Sequence, residues 1–405
     1  MFFEYEKPPA KKSLDEYSLV SDNQINIPPH IWREIKDGFD KREVIEHLSS
    51  LIESQKLPYP SRTYTQTQLE DDFRTLCAEE DKVLIGDWEC MRTIPDLPLT
   101  FQGQRVYVQA TSKGMKVSDQ FVHPHRMKCG HFEHKSPYRE WTREGCTSKV
   151  RPVLRVLWTL NEEDALKNGV GAKQLRDCLR LGNYIASQFK PSCAKALYDF
   201  FQAKRVLDFS AGWGDRLVGF LASGAESYVG VDPNSVLQRP YQEIADFCDT
   251  GKSVKFICSP AEDADLTDRF DFIFTSPPYF NVEKYSEEDT QSWKRYQTIE
   301  AWLDHFFLPV LGKCWDALEE GGRLAINIAD KGHSRGDDIN APICQPMLDY
   351  MEGLGAKFEG IVGYRMNKRP GDRMGETGGV YCEPIFIWSK GDAPEPKWRP
   401  DSFFL

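Results

Sequence analysis

Beyond residue 175 short apolar runs rich in β-branched and aromatic residues recur between stretches of helical length. The runs 206–209 (VLDF), 228–232 (YVGVD), 254–258 (VKFIC), 270–275 (FDFIFT) and 323–329 (RLAINIA) predict buried strands. Segments 214–223, 237–249 and 296–318 between them predict helices. Strand and helix in alternation call for a parallel sheet covered on both faces, an α/β fold. The last two runs, 358–366 and 380–388, have a Gly- and Arg-rich loop between them and no helix, so they predict an antiparallel hairpin at one end of the sheet. Before residue 100 the pattern is different. Helical periodicity at 32–53 and 68–81 is interrupted by proline pairs and by KLPYPS, an α-leaning segment with few strong strands. No internal repeat or low-complexity stretch is present. The change of pattern divides the chain into an accessory region 1–150, a helical connection 151–181, a main domain 182–390 and a tail 391–405.

Composition narrows the class. The 405 residues are 40% hydrophobic and 28% charged, which fits a globular chain long enough for two domains and excludes a coiled coil or a collagen-like repeat. No run approaches the roughly 18 apolar residues of a membrane span, and the N-terminus lacks a basic segment followed by an apolar core. A cytoplasmic location is expected, or a nuclear one in a eukaryote. Eleven cysteines with no CxxC pair read as reduced thiols, and Cys193, Cys248, Cys258 and Cys314 lie in apolar stretches as expected core residues. The net charge of −11 weighs against nonspecific binding of a polyanion, yet residues 101–160 hold eleven Lys or Arg against four acids.

Two motifs carry chemistry. Residues 206–217, VLDFSAGWGDRL, read as a strand, an acid at its end, a turn with Gly212 and Gly214, and a helix. Glycines let a backbone pass close beneath a ligand, and Asp232, about 20 residues on at the end of the next strand, is placed to accept bonds from ribose hydroxyls. The third glycine of a GxGxxG turn is missing, which favours a nucleoside without a pyrophosphate. The second motif, FDFIFTSPPYF at 270–280, ends the fourth strand of the series with a rigid Pro-Pro pair and an aromatic residue. Open α/β sheets bind ligands at that edge.

With Ser276, Pro277, Pro278 and Tyr279 the chain resembles the S-adenosylmethionine-dependent amino-methyltransferases of the DNA adenine and cytosine type, whose signature is Asp, Asn or Ser, then Pro-Pro, then Tyr or Phe. The resemblance covers about 175–390 and implies a Rossmann-like methyltransferase sheet with S-adenosylmethionine as cofactor. Asp208, Ser210, Gly212 and Gly214 match its cofactor loop, Asp232 its ribose-binding acid, and Glu262 or Asp263 the position that contacts adenine of the cofactor. Residues 182–201 resemble the block that closes over the methionine end, with Phe189, Lys190 and Pro191 as its best matches. The order of blocks is similar to one of the circularly permuted classes. Too little chain follows the catalytic motif for a conventional C-terminal recognition domain, so residues 1–170 are expected to take that role.

The chemistry gives each residue of the second motif a role. An exocyclic aromatic amine is a poor nucleophile because its lone pair is delocalised, and acceptors on its two hydrogens correct this. The Ser276 hydroxyl and Pro277 carbonyl are assigned to accept them, Tyr279 to stack on the target ring and Phe280 to line the pocket. A base in a duplex would have to be flipped. In similar families Ser at the first position is frequent with cytosine and Asp or Asn with adenine, which sets cytosine N4 ahead of adenine N6. The rivals are RNA as the polymer, a protein glutamine amide, and an inactive nucleic-acid-binding subunit.

Nucleic acid, DNA ahead of RNA, is the expected partner. Segment 121–146 interleaves Arg126, Lys128, Lys135, Arg139 and Arg143 with Phe121, Phe132, Tyr138 and Trp141, cations for phosphates and rings for bases. A plain surface loop and a zinc site from its His and Cys residues are the alternatives, although the spacings fit no closed zinc module. Lys368, Arg369 and Arg373 in the 365–379 loop are expected over the substrate backbone, and 281–296 is read as a mobile lid.

Overall fold

A computed structural model describes residues 12–90, 97–131, 136–142, 147–182, 185–330, 342–366 and 380–398. The chain divides into two compact units, Met1–Arg62 with Glu133–Ile185, and Thr63–Phe132 with Ala186–Leu405. The division expected near residue 150 therefore falls elsewhere, because both units are discontinuous in sequence.

The first unit is mainly helical. The helical periodicity at 32–53 falls on two helices, Pro29–Gly38 and Lys41–Ser54, because the Asp40 carboxylate caps the Arg42 N–H at 2.8 Å and starts a new helix. The second helix buries Val44, Ile45, Leu48 and Ile52, one apolar stripe at helical spacing. Trp32 packs edge-on against Trp158 with ring centroids 4.9 Å apart.

The second unit is the α/β sheet. Its strands are β1 (Val83–Ile85), β2 (Trp88–Glu89), β3 (Val106–Val108), β4 (Gly130–His131), β5 (Arg205–Asp208), β6 (Ser227–Val231), β7 (Ser253–Ile257), β8 (Phe270–Thr275), β9 (Glu283–Lys284), β10 (Leu318–Asn327), β11 (Lys357–Arg365) and β12 (Val380–Ser389). Nine of them lie in the order β1-β3-β11-β12-β10-β8-β5-β6-β7, with β2 beside β12. The five expected parallel strands are all present, adjacent and parallel from β10 to β7. The expected hairpin is β11–β12, antiparallel throughout and joined to β10 through β12. Five parallel strands beside an antiparallel hairpin make the Rossmann-like α/β layout that the resemblance implied.

The sheet does not stop at the hairpin, since β3 pairs in parallel with β11 and β1 in antiparallel with β3. Residues 63–131 thus extend the sheet rather than forming part of an accessory domain. Strands of three residues are too short for alternation to register in a sequence.

Successive residues of the central strands face opposite layers. Leu207 and Ile273 pack with Trp302, Phe307 and Leu311. On the other face Phe272 stacks on Phe201 at 5.3 Å and meets Tyr198 at 5.9 Å. The helix carrying Tyr198, Pro191–Phe200, crosses Asp215–Ala222 closely at Gly219, where a Cβ would lie 2.6 Å from the Pro191 carbonyl oxygen. Cys193 and Cys314 are buried as expected, but Cys248 is half-buried and Cys258, one residue past edge strand β7, is exposed. Among the described residues no helix is long and apolar enough to cross a membrane.

Candidate active site

Strands β5 and β8 are neighbours at the centre of the sheet, and β6 and β10 flank them on opposite sides. The winding of the sheet reverses there, and such a switch point opens a crevice beyond the carboxyl ends of the strands. The loop after β5 carries Ser210, Gly212 and Gly214, and the loop after β8 carries Ser276, Pro277, Pro278 and Tyr279. The fold brings the two motifs side by side.

A buried charge hub joins these loops. The Asp208 carboxylate, fully buried, accepts the Arg216 Nε–H at 2.8 Å and an Arg216 terminal N–H at 3.2 Å. It also accepts the Tyr228 hydroxyl at 2.8 Å, the Thr275 hydroxyl at 2.7 Å and the Ser210 N–H at 3.3 Å. Burial opposes the Arg216 charge, and the Asp208 carboxylate outweighs it, so the guanidinium is held more firmly protonated than usual. Arg216 also donates to the Ser210 carbonyl. Asp208 therefore faces inward and ties both loops together, whereas the resemblance had set it against the cofactor. Arg216, Tyr228 and Thr275 were missed in the sequence. An arginine in the first turn of the helix, eight residues past the strand-end acid and followed by an apolar run, was the available signal.

The glycine loop is held in place from the next strand. Asp232, 8% exposed, accepts the Gly212 N–H at 2.8 Å and the Asn234 N–H at 2.9 Å, while the Tyr241 hydroxyl donates to the Gly212 carbonyl at 2.6 Å. Burial raises the Asp232 carboxyl to about 6, against the lowering effect of those N–H donors. Gly212 has a φ of +58°, and a Cβ there would meet nothing closer than the Ser210 carbonyl oxygen at 3.6 Å. The backbone thus offers an open surface at this point, which suits the flat approach of a nucleoside. Gly214 has a φ of +76° and caps the helix Asp215–Ala222.

The closing block lies against the same helix. The Phe189 ring sits 4.7 Å from Tyr364 and beneath the Arg216 guanidinium at 5.5 Å. The Lys190 N–H donates to the Tyr364 hydroxyl at 3.2 Å, and its ammonium, made less basic by burial, reaches the Ala110 carbonyl at 3.4 Å. Pro191 begins the next helix. Tyr364, next to the last residue of β11, was not singled out from the sequence.

The catalytic loop has an unusual backbone. Phe280 follows the two prolines with a φ of +55°, a region costing a bulky residue on the order of 1–3 kcal/mol, and its N–H donates to the Pro278 carbonyl at 3.0 Å. Phe280 is buried against Trp302, which fixes the turn. Among the described residues no hydrogen bond is made to the Pro277 carbonyl. Tyr279 is half-buried. Burial of its hydroxyl, with the nearby Glu383 charge, keeps it well above its usual range, opposed by a hydrogen bond with Ser276.

Segment 281–296, read as a lid, is tied down at several points. Its strand β9 pairs with β4, Glu288 accepts from the Ser235 N–H and hydroxyl, and the Thr290 hydroxyl reaches the Pro233 carbonyl at 3.3 Å. Arg295 donates to Glu262 and to Asp263, each at 2.7 Å, and the Tyr296 hydroxyl donates to Glu262 at 2.9 Å. Glu262 and Asp263, expected at the adenine, are thus engaged with this segment. Burial raises the Glu262 carboxyl, and its second oxygen has no partner.

Of the residues assigned to the basic stripe, Arg126 departs from a solvent-facing role. Arg126 is buried, donating to Asp119 at 2.6 Å and to the Ala186 carbonyl at 2.8 Å, so it joins the points where the chain leaves and returns to the sheet unit. Asp119 lies seven residues earlier on the same helix face, which explains the pairing. Lys128 is exposed in the sheet unit and Arg139 is exposed in the helical unit. Lys135, Arg143, Lys368, Arg369 and Arg373 lie outside the described residues.

No curated protein matches the chain. Among solved structures it is similar to TehB from Haemophilus influenzae, at 12% identity over 49% of this chain and 61% of that one (TM-score 0.32). It is also similar to TrmN from Thermus thermophilus, at 17% identity over 49% of this chain and 48% of that one (TM-score 0.33). A third is an S-adenosylmethionine-dependent O-methyltransferase from Thermotoga maritima, at 12% identity over 52% and 69% (TM-score 0.33). The chain spans less than two thirds of the first two. Residues 270–398, from β8 through the hairpin, match the DNA methylase family of N6- and N4-methyltransferases, and S-adenosylmethionine is the methyl donor this match implies.

Proposed function

We propose that this chain transfers a methyl group from S-adenosylmethionine to an exocyclic amino group of a base in DNA, cytosine N4 ahead of adenine N6. The observation that carries the reading is the Asp208 hub, which holds a glycine loop and a Ser-Pro-Pro-Tyr loop together at the switch point of the sheet. The cofactor supplies an electrophilic methyl group. The residues present fit it: Gly212 offers open backbone, and Asp232 stands at the end of the neighbouring strand as an acceptor for ribose hydroxyls.

The catalytic loop acts on the amine. The Ser276 hydroxyl and the Pro277 carbonyl accept its two hydrogens and aim its lone pair, while Tyr279 stacks on the ring. The loop needs to be stiff for this, and two prolines, the left-handed Phe280 and the Thr275 bond to Asp208 supply the stiffness. No strong general base is required, because the methylated ammonium is acidic and loses its proton after transfer. Duplex substrate is flipped, at a cost of a few kcal/mol that stacking on Tyr279 partly offsets.

The test is incubation of the purified chain with methyl-labelled cofactor and separate pools of DNA, RNA and protein. Label in DNA supports the reading. Label confined to RNA moves the activity to the other polymer, and label confined to protein favours a glutamine-type acceptor; either outcome overturns DNA as substrate.

A further inference from the structure

Asp215, directly after Gly214, has no part in the reactions assigned above, yet it is the least satisfied acid near the glycine loop. It is 2% exposed. Its Oδ1 accepts the Ser118 hydroxyl and the Gln188 side-chain N–H, the latter at 3.2 Å, and Gln188 also donates to Ser118 at 3.2 Å. Its Oδ2 is buried and has no hydrogen-bond partner. A buried acceptor without a donor is costly, more so when charged, and native folds seldom keep one without a use.

The surroundings define what the oxygen would take. A carboxylate accepts only, so its partner must be a donor, and one of positive charge gains most. The groups around it are Asp119 and Arg126 from the helix Met115–Arg126, Arg216 from its own helix, Tyr364 from β11, and Ser118 and Gln188 as direct partners. Arg126 is bonded to Asp119 and Arg216 to Asp208, so neither cation is turned onto Asp215. Gln188 immediately precedes Phe189 and Lys190, in the block that resembles the one closing over the amino-acid end of the cofactor.

We propose that Asp215 is the acceptor for the α-ammonium group of the cofactor's amino-acid end, with Ser118 and Gln188 holding the carboxylate in orientation. The inference rests on S-adenosylmethionine being the ligand of this site. Burial raises the Asp215 carboxyl to about 7, so a cationic partner that draws it into the ionised form would relieve a cost already built into the fold.

Calorimetry with two ligands tests it: S-adenosylhomocysteine, and its analogue lacking the α-amino group. The wild type is expected to bind the deaminated analogue about 10- to 100-fold more weakly, the range for one charge-assisted hydrogen bond. In Asp215→Asn that preference should fall below about threefold. Asparagine keeps the shape of the protonated acid, so the variant is expected to fold. Preference retained in Asp215→Asn, or equal weakening of both ligands by the substitution, overturns the assignment while leaving the functional reading intact. Failure of the wild type to bind either ligand overturns that reading and this inference with it.

Discussion

Replacing Asp208 with Asn should damage the fold before it damages binding. The carboxylate is fully buried and receives donors from Arg216, Tyr228, Thr275 and the Ser210 backbone, and Arg216 is itself only 5% exposed. Removing one charge of a buried pair leaves the other uncompensated, a loss of about 3–5 kcal/mol. That is a large part of the 5–15 kcal/mol typical of a native domain, so milder variants are needed beside it. Thr275→Val and Tyr228→Phe each remove one donor to the carboxylate and should cost about 1.5–3 kcal/mol. Denaturant midpoints of the three variants, with calorimetric cofactor affinity of those still folded, check the hub. The expected pattern is a stability loss ordered Asp208→Asn above the other two. Thr275→Val should also slow methyl transfer, because its hydroxyl anchors the strand end directly before the catalytic loop. A cofactor contact at Asp208 would give the reverse: affinity lost and stability changed by less than about 1 kcal/mol. That result would refute the hub.

Asp215→Asn should stabilise the protein at pH 8 and change little at pH 4. The folded carboxyl is raised to about 7 from 3.8, so stability falls as pH rises between those values and the full cost, on the order of 4 kcal/mol, is present above pH 7; melting curves across pH measure it. Asp232, raised to about 6, adds to the same trend in the wild type and persists in the variant. Arg126→Ala should cost about 3–5 kcal/mol by removing the cation that compensates the buried Asp119 charge, and should leave the salt dependence of DNA binding unchanged, as a salt titration beside a thermal melt would show. Tyr279→Ala should leave cofactor affinity nearly unchanged and greatly reduce transfer; lost cofactor binding in calorimetry would assign the loop to the wrong ligand.

Much of the second unit can be read from sequence because its central strands are buried on both faces. Runs such as 270–275 are apolar at four of six positions, and β8 begins and ends where that run does. The short strands at 83–85 and 106–108 left no such trace, and with them the sheet's far edge was missed. The discontinuous units are invisible for a different reason: linear order carries no record of which segments return to the same core. Within the site, loop positions and motif residues were legible, but what each side chain touches was not. Asp208 was set at the cofactor by the resemblance, and only the convergence of Arg216, Tyr228 and Thr275 shows its charge to be satisfied internally. Arg126 counted toward a basic stripe by composition, while Asp119 two helical turns before it held the contrary signal.

The central claim is that the Ser276–Tyr279 loop directs a methyl group onto an exocyclic nitrogen of a DNA base. Nucleoside mass spectrometry of DNA treated with the wild-type chain and S-adenosylmethionine tests it most directly. N4-methylcytosine or N6-methyladenine is the predicted product, present with wild type and greatly reduced with Tyr279→Ala. Methylation on a ring carbon, as in 5-methylcytosine, or DNA left unmodified by a chain that binds the cofactor, would contradict it.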